Sequence, residues 1–155
     1  MEPVTFTVVD AGSRAARWAM RQYFDELDRR FDGGFVAGDA LDEAAHLYNP
    51  PTGAFVVAAV DDRTVGCGAV LHLDETTAEI KRMWVSPTTR GLGIGRRLLA
   101  RLEDEVRAAG RTTVVLDTNG ALTEAIAMYG AAGYDPADRY NDNPYAQHWF
   151  RKTLT

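Results

Sequence analysis

Cysteine is almost absent. Cys67 stands alone among 155 residues, which excludes an internal disulfide and makes a reducing cytoplasm the expected compartment. Histidine is nearly as scarce, with His46, His72 and His148 scattered along the chain. Together with one cysteine they offer no ligand spacing for a metal ion, so no metal is expected. No stretch approaches the ~20 apolar residues of a membrane span, so no membrane partner is expected. The first residues, Met1-Glu2-Pro3-Val4, lack a basic region followed by an apolar core, and no secretory signal is expected. Repeats, low-complexity tracts and linkers are missing too. A chain of this length is expected to form one domain over residues 1–155, burying about 70% of its unfolded surface.

Positive charge is in deficit, with a formal net charge of −5, but the deficit is uneven. Residues 1–80 carry six basic and fourteen acidic side chains, and residues 112–155 carry three and five. Residues 81–111 reverse the balance, with eight basic and three acidic side chains. So local a surplus, on a chain otherwise repelling phosphate backbones, disfavours nucleic acid. It fits a small polyanion instead, and Arg90, Arg96 and Arg97 are the candidates to meet it. The alternative for the remaining charges is a solvated helix face, with Glu103 and Arg107 an i,i+4 pair.

That basic segment carries the strongest local pattern. Ile80, Met83 and Val85 read as a strand ended by Ser86-Pro87. Ile94, Leu98, Leu102, Val106 and Ala109 recur at helical spacing, stopped by Gly110. Between them Arg90-Gly91-Leu92-Gly93-Ile94-Gly95 forms a glycine-rich turn into a helix N-terminus. Such a turn permits close approach to the main chain, and the unpaired N–H groups with the macrodipole favour phosphate. A triphosphate loop needs Lys-Ser/Thr after its last glycine, but Arg96-Arg97 follows here. A dinucleotide fingerprint needs Gly-x-Gly-x-x-Gly directly after a strand. The glycines here run Gly-x-Gly-x-Gly after the insert Ser86 to Arg90, although Asp117 lies at a suitable distance.

Around this segment the chain reads in order. Val4 to Val9 is a strand, and Ser13 caps a helix through about Arg30 with Met20, Phe24 and Leu27 on its apolar stripe. After Gly33-Gly34, Asp39 starts a two-turn helix through Ala44 and Leu47, ended by Asn49-Pro50-Pro51. Ala54–Val60, Thr64–Leu73 and Thr77–Val85 form a meander with a tight turn at Asp61-Asp62-Arg63. Thr112 to Leu116 is a buried parallel strand, and Leu122, Ala125, Ile126 and Tyr129 form a helix face closed by Gly133. Tyr134 and Gln147 to Thr153 supply the last strands, with a polar loop from Asp135 to Ala146 between them. The order is β-α-α-β-β-β-α-β-α-β-β.

Arg90 to Gly95 resembles the Arg/Gln-x-x-Gly-x-Gly/Ala signature of the GNAT superfamily of acetyl-CoA-dependent N-acetyltransferases. The likeness extends upstream to Met83-Trp84-Val85-Ser86-Pro87 and downstream to Ala125-Ile126-Ala127-Met128-Tyr129 and Gly133-Tyr134. It covers the C-terminal half in motifs and the N-terminal half only in layout. It implies an α/β (α+β) GNAT fold, a mixed central sheet of about six to seven strands flanked by about four helices. It implies acetyl-CoA as cosubstrate, held by Met83, Val85, Arg90, Gly91, Leu92, Gly93, Ile94, Gly95, Arg96 and Asn119. By the same likeness the Val85 N–H would polarise the thioester carbonyl, a donor worth about 3–4 kcal/mol in the transition state. Tyr129 would be the general acid protonating the departing thiolate, its alternative being a packing tyrosine.

The general base stays open. Glu79 matches the position of a catalytic glutamate in relatives, but could equally pair with Lys81; His148 is a second candidate. Cys67 reads as a buried small hydrophobe rather than a nucleophile, so transfer is expected to be direct. Glu26, Asp28 and Asp32 could read a cationic amine, and Tyr140, Asn143 and Tyr145 could hydrogen-bond it. A primary amine of a small or amino-acid-like molecule is the expected acceptor, with a monomer or homodimer as the working unit. A protein N-terminus or lysine, a non-catalytic acyl-CoA sensor and a dinucleotide oxidoreductase are the rivals.

Overall fold

The computed structural model describes residues 3–155; Met1 and Glu2, part of the stretch read for a leader, lie outside the described residues. The elements are β1 (Val4–Val8), α1 (Arg14–Arg30), α2 (Ala40–Leu47), β2 (Gly53–Val60), β3 (Arg63–His72), β4 (Thr77–Val85), α3 (Ile94–Ala108), β5 (Thr113–Thr118), α4 (Thr123–Ala131), β6 (Asp135–Pro136) and β7 (His148–Thr153). Their order is the one expected. Ser13 caps α1, its hydroxyl accepting the Ala16 N–H at 3.3 Å. Asp61 and Asp62 both take positive φ, 50° and 62°, the conformation a two-residue hairpin between β2 and β3 requires. The loop after α4 is shorter than expected, because Asp135–Pro136 pairs with Phe150 and Arg151 as a brief edge strand.

The strands form one mixed sheet in the order β1-β2-β3-β4-β5-β7-β6. Alternate residues feed two cores. Phe55, Val57, Cys67, Ala69 and Trp84 face α1 and α2, packed against Met20, Phe24, Leu27 and Tyr48. Val56, Val70, Ile80, Val114 and Leu116 face α3 and α4, packed against Leu98, Leu99, Leu102, Val106 and Tyr129. The anticipated Glu103–Arg107 pair does not form. Glu103 is buried, accepting the Tyr134 hydroxyl at 2.7 Å and Lys152 at 3.1 Å, while Arg107 pairs with Asp104 at 3.0 Å.

Two irregularities in β4 position the site. β4 pairs in parallel with β5 only over Thr77–Glu79 and Thr113–Val115. Farther on, Leu116 to Thr118 pair with β7 alone, and Ile80 to Val85 part from β5. On the other side the register to β3 slips: Ala69 faces Lys81, yet Cys67 faces Trp84, so β4 carries one extra residue. Arg82 takes up this bulge at φ 59°, a conformation uncommon for a non-glycine residue. Gly68 sits opposite the bulge, where a Cβ would lie 2.5 Å from Leu102 Cδ1 and 3.3 Å from Met83 Cγ. α3 therefore seats directly on the bare backbone of β3. Gly68→Val should lower stability by about 1–3 kcal/mol, read as a lowered urea midpoint at unchanged slope. An unshifted midpoint would contradict this close seating.

Candidate active site

Where β4 leaves β5, two cavities open and meet. The first, of about 480 Å³, is lined by Met83, Trp84 and Val85 of β4, the glycine turn, the start of α3 and the inner face of α4. The second, of about 280 Å³, lies between α1, α2, the middle of β4, the end of β5 and the loop at Asn143 to Ala146. Tyr23, Met83, Leu122, Ala125 and Tyr129 line both.

The glycine turn gives the first cavity its character. Gly91 and Gly93 hold φ of 88° and 76°, the left-handed region that side chains resist. Gly93 is the N-cap of α3 and supplies no capping side chain. The Arg97 N–H bonds back to the Gly93 carbonyl at 3.2 Å, so Ile94, Gly95 and Arg96 hold the first-turn N–H groups without intrahelical acceptors. Gly95 lets the helix approach its neighbours, since a Cβ there would lie 3.1 Å from Met128 Sδ. Unpaired donors, a helix dipole and open space above Gly91 suit the pyrophosphate of a nucleotide-bearing cofactor. Leu92 is exposed and outside the lining, while Ile94 lines the cavity with its side chain buried.

The three arginines at this turn have three different fates. Arg90 donates Nη2 to Glu26 at 2.6 and 2.8 Å and Nε to the Val85 carbonyl at 3.0 Å. Glu26, buried, also accepts Arg30 at 3.2 Å. Arg30 continues to Glu124 at 2.9 Å and to the Ala121 carbonyl at 2.9 Å. This chain ties α1 to the glycine turn and to the start of α4 around the first cavity. Glu26 thus lines the first cavity with its charge already matched by arginines, rather than standing free to read a cationic amine. Arg96 lines the first cavity with no carboxylate partner among the described residues. Arg97 turns aside to lie 5.3 Å over the Phe6 ring.

Tyr129 is buried at the junction of the cavities, its ring edge-on to Tyr134 at 5.9 Å. Burial, with smaller contributions from Tyr23 and Asp117, pushes its pKa well above the ordinary tyrosine value. The resting hydroxyl is therefore protonated at physiological pH and available as a donor. No hydrogen bond from it to another described residue forms. Tyr23 beside it is pushed up to about 12, again chiefly by burial.

Other expected site residues lie elsewhere. Glu79 is buried, lines neither cavity, and is held by Tyr140 at 2.6 Å, Asn141 at 3.3 Å and Lys81 at 3.5 Å. Tyr140 is thereby drawn away from the cavities, its pKa raised by burial and by the Glu79 charge. His148 is an exposed residue of β7 stacked on Phe150, outside both linings. Asn119 lines the second cavity rather than the cofactor side. Its amide donates to the Tyr145 carbonyl at 2.7 Å and its carbonyl accepts the Ala121 N–H at 2.9 Å, which starts α4. Asp28 accepts the Phe35 N–H at 2.9 Å and closes the loop after α1. Asn143 and Tyr145 do line the second cavity, Tyr145 packed 4.7 Å from Phe35 and accepting the Val36 N–H at 3.1 Å. Cys67 is fully buried, its pKa raised by burial, and its thiol donates to the Arg82 carbonyl at 3.2 Å.

Sequence reasoning passed over Tyr23, Arg82 and, as a site residue, Asp117. Asp117 lines the second cavity and accepts amide donors from Asn141 at 2.6 Å and Asn143 at 3.2 Å. Its signals were its distance from the glycine turn, weighed only for a dinucleotide, and its place at the end of a buried parallel strand, where open sheets gather ligands.

A mixed sheet split between β4 and β5, with an uncapped helix start at the split, is shared with a family of acyltransferases. The chain belongs to the Acetyltransferase (GNAT) family, whose sequence profile matches residues 14–134. It is 41% identical over 133 residues to an IAA acetyltransferase of Azospirillum brasilense, covering 82% of each chain. It is 29% identical over 123 residues to an uncharacterised N-acetyltransferase of Escherichia coli, covering 77% of this chain and 74% of that one. In fold it resembles a GNAT-family acetyltransferase from Staphylococcus aureus, with a TM-score of 0.85 at 16% identity over 99% of this chain and 100% of that one.

The clamp around the first cavity has a pH signature. The Arg30 hydrogen bond holds the Glu124 carboxyl down at about 2. A depressed carboxylate stabilises the fold above its unfolded value of about 4.3, and that contribution is lost as pH falls toward the folded value. Wild type should therefore exceed Glu124→Gln in stability at pH 7, and the two should converge between about pH 4.3 and 2. Parallel stability curves across that window would mean the pair contributes nothing.

Proposed function

We propose that this acyltransferase moves an acetyl group from acetyl-CoA directly to the primary amine of a small molecule, in the cytoplasm, working as a monomer or homodimer. The observation that supports it is the meeting of two unlike cavities at Tyr129: one bordered by the unpaired N–H groups of the α3 start, the other smaller and bordered by the aromatic side chains of Phe31, Phe35 and Tyr145. A space of about 280 Å³ suits a small acceptor better than a protein chain. Among the described residues no helix is long and apolar enough to cross a membrane.

The N–H groups of Ile94, Gly95 and Arg96, with the Arg96 guanidinium, hold the pyrophosphate; Arg90, already bound to Glu26, shapes the turn. Met83 and Val85 line the path of the pantetheine arm, and the Val85 N–H faces the thioester oxygen. Bound there, acetyl-CoA supplies a carbonyl carbon to which the neutral amine forms a C–N bond as the C–S bond breaks and the thiolate takes up a proton. Asp117 draws the acceptor's ammonium into the second cavity and receives its proton through water, a task that falls to it because Glu79 and His148 line neither cavity. Tyr129 donates the thiolate's proton from the junction, and the proton shed by the nitrogen as it becomes an amide restores the phenol, so the transfer balances. A raised phenol pKa makes a weaker acid, but the same dry surroundings raise the proton affinity of a departing thiolate.

Thiol release from acetyl-CoA across a panel of amines, amino acids, polyamines, aminoglycosides and short peptides tests the reading. Turnover should be confined to small amines; turnover of peptides alone would overturn it. Tyr129→Phe should lower kcat roughly 10²–10⁴-fold while KM for acetyl-CoA stays within about twofold. The lost hydroxyl has no hydrogen-bond partner among the described residues, so stability should hold. Full kcat in this variant would remove Tyr129 from the chemistry.

A further inference from the structure

Arg82 is an anomaly among the cations of this site. Lys81 pairs with Glu79, Arg90 with Glu26, and Arg30 with Glu26 and Glu124. Arg82 pairs with no carboxylate among the described residues, and its buried Nε has no hydrogen-bond partner. It is nevertheless half-buried and lines the second cavity. Its guanidinium lies 5.3 Å over the Phe24 ring and 6.0 Å from that of Tyr48. Aromatic faces hold a cation in place without offering acceptors for its five N–H donors. The terminal N–H groups of the guanidinium likewise bond to no described residue, and unlike the buried Nε they are not sealed off, so they are the donors a ligand in the cavity would meet.

The backbone supports the same conclusion. The extra residue in β4 falls at Arg82, with φ at 59°, where regular pairing would run more comfortably. Bulges of this kind re-aim a side chain, and strain of this kind clusters at ligand clamps. Across the cavity Asp117 holds the opposite charge, supported only by the neutral amides of Asn141 and Asn143. Arg82 and Asp117 form no ion pair with each other. The cavity therefore presents one unpaired cation, Arg82, and two carboxylates without a cationic partner among the described residues, Asp117 and Glu43, with Leu27, Phe31 and Phe35 as apolar wall.

We infer that the acceptor carries a carboxylate beside its amine, and that Arg82 binds this carboxylate through its planar fork while Asp117 receives the ammonium. This rests on the small-amine reading and narrows it to amino acids with an apolar or aromatic side chain. A carboxylate matches the two-pronged geometry of a guanidinium. A phosphate would bring a second negative charge against Asp117 and Glu43 on the same lining.

The test compares free amino acids, their amides and their decarboxylated amines, by thiol release with the full chain and by calorimetric titration of each acceptor. Wild type should favour the free amino acid over both neutral analogues by roughly 10–100-fold in kcat/KM, as expected for a charge-assisted hydrogen bond. Arg82→Met should reduce that preference ratio by a similar factor, acting through KM and the titrated affinity, and Arg82→Lys should restore part of it. Equal losses on amino acids and decarboxylated amines would reduce Arg82 to a structural role and overturn the inference. Turnover of decarboxylated amines in preference to amino acids would overturn it too, while leaving the small-amine reading intact. Absence of thiol release with every amine would sink both.

Discussion

A parallel strand pair that stops pairing after three residues is the constraint on which this molecule depends. β4 and β5 share hydrogen bonds over Thr77–Glu79 and Thr113–Val115, and then their backbones need other partners. β5 finds its partner in β7, which continues alongside it to Thr118. β4 stays on β3 but carries an extra residue, which lets its end swing through Met83 to Val85. The wedge between them cannot be filled by a strand. Instead α3 starts there, with its cap position given to a glycine and its first N–H groups turned toward the gap. Packing on Gly68 from one side and close approach at Gly95 on the other fix where that helix start lies.

The two halves of the resulting cleft differ in how their charges are settled. Around the first cavity the side chains are largely matched: Glu26 answers Arg90 and Arg30, and Glu124 answers Arg30. What remains there is positive and mostly main-chain, a fixed field that needs no side-chain ordering when an anion arrives. The second cavity has the opposite design, with side-chain charges held apart by aromatic rings and amides. At the join stands Tyr129, kept protonated by burial.

Most of the fold was legible. Periodicity gave the helices and strands nearly to the residue, because Ser13, Gly110 and Gly133 mark ends by local chemistry that tertiary packing does not override. The glycine turn was legible for the same reason: Gly91 and Gly93 hold conformations that the sequence announces. Side-chain destinations were not. Glu26 read as a residue for a cationic amine, yet it closes on Arg90, 64 residues away. Glu79 sat on the right strand, but it faces the β5-paired portion, where Tyr140 reaches over it. Arg82 read as one more member of a basic run, since neither a bulge nor a missing partner leaves a mark in a single sequence. Asn119 and Glu103 carry the same lesson: hydrogen-bond partners from distant loops decide what a polar residue does.

Backbone amide hydrogen exchange with and without acetyl-CoA tests the central claim most directly, because it reads the main-chain groups that side-chain substitution cannot remove. A split-sheet site anchored by a helix start predicts the largest protection at Gly91 to Arg97 and at Val85, with a smaller effect along Ala125 to Tyr129. Protection concentrated on β1, β2 or the outer face of α2, with the α3 start unchanged, would place the cofactor elsewhere and contradict the arrangement described.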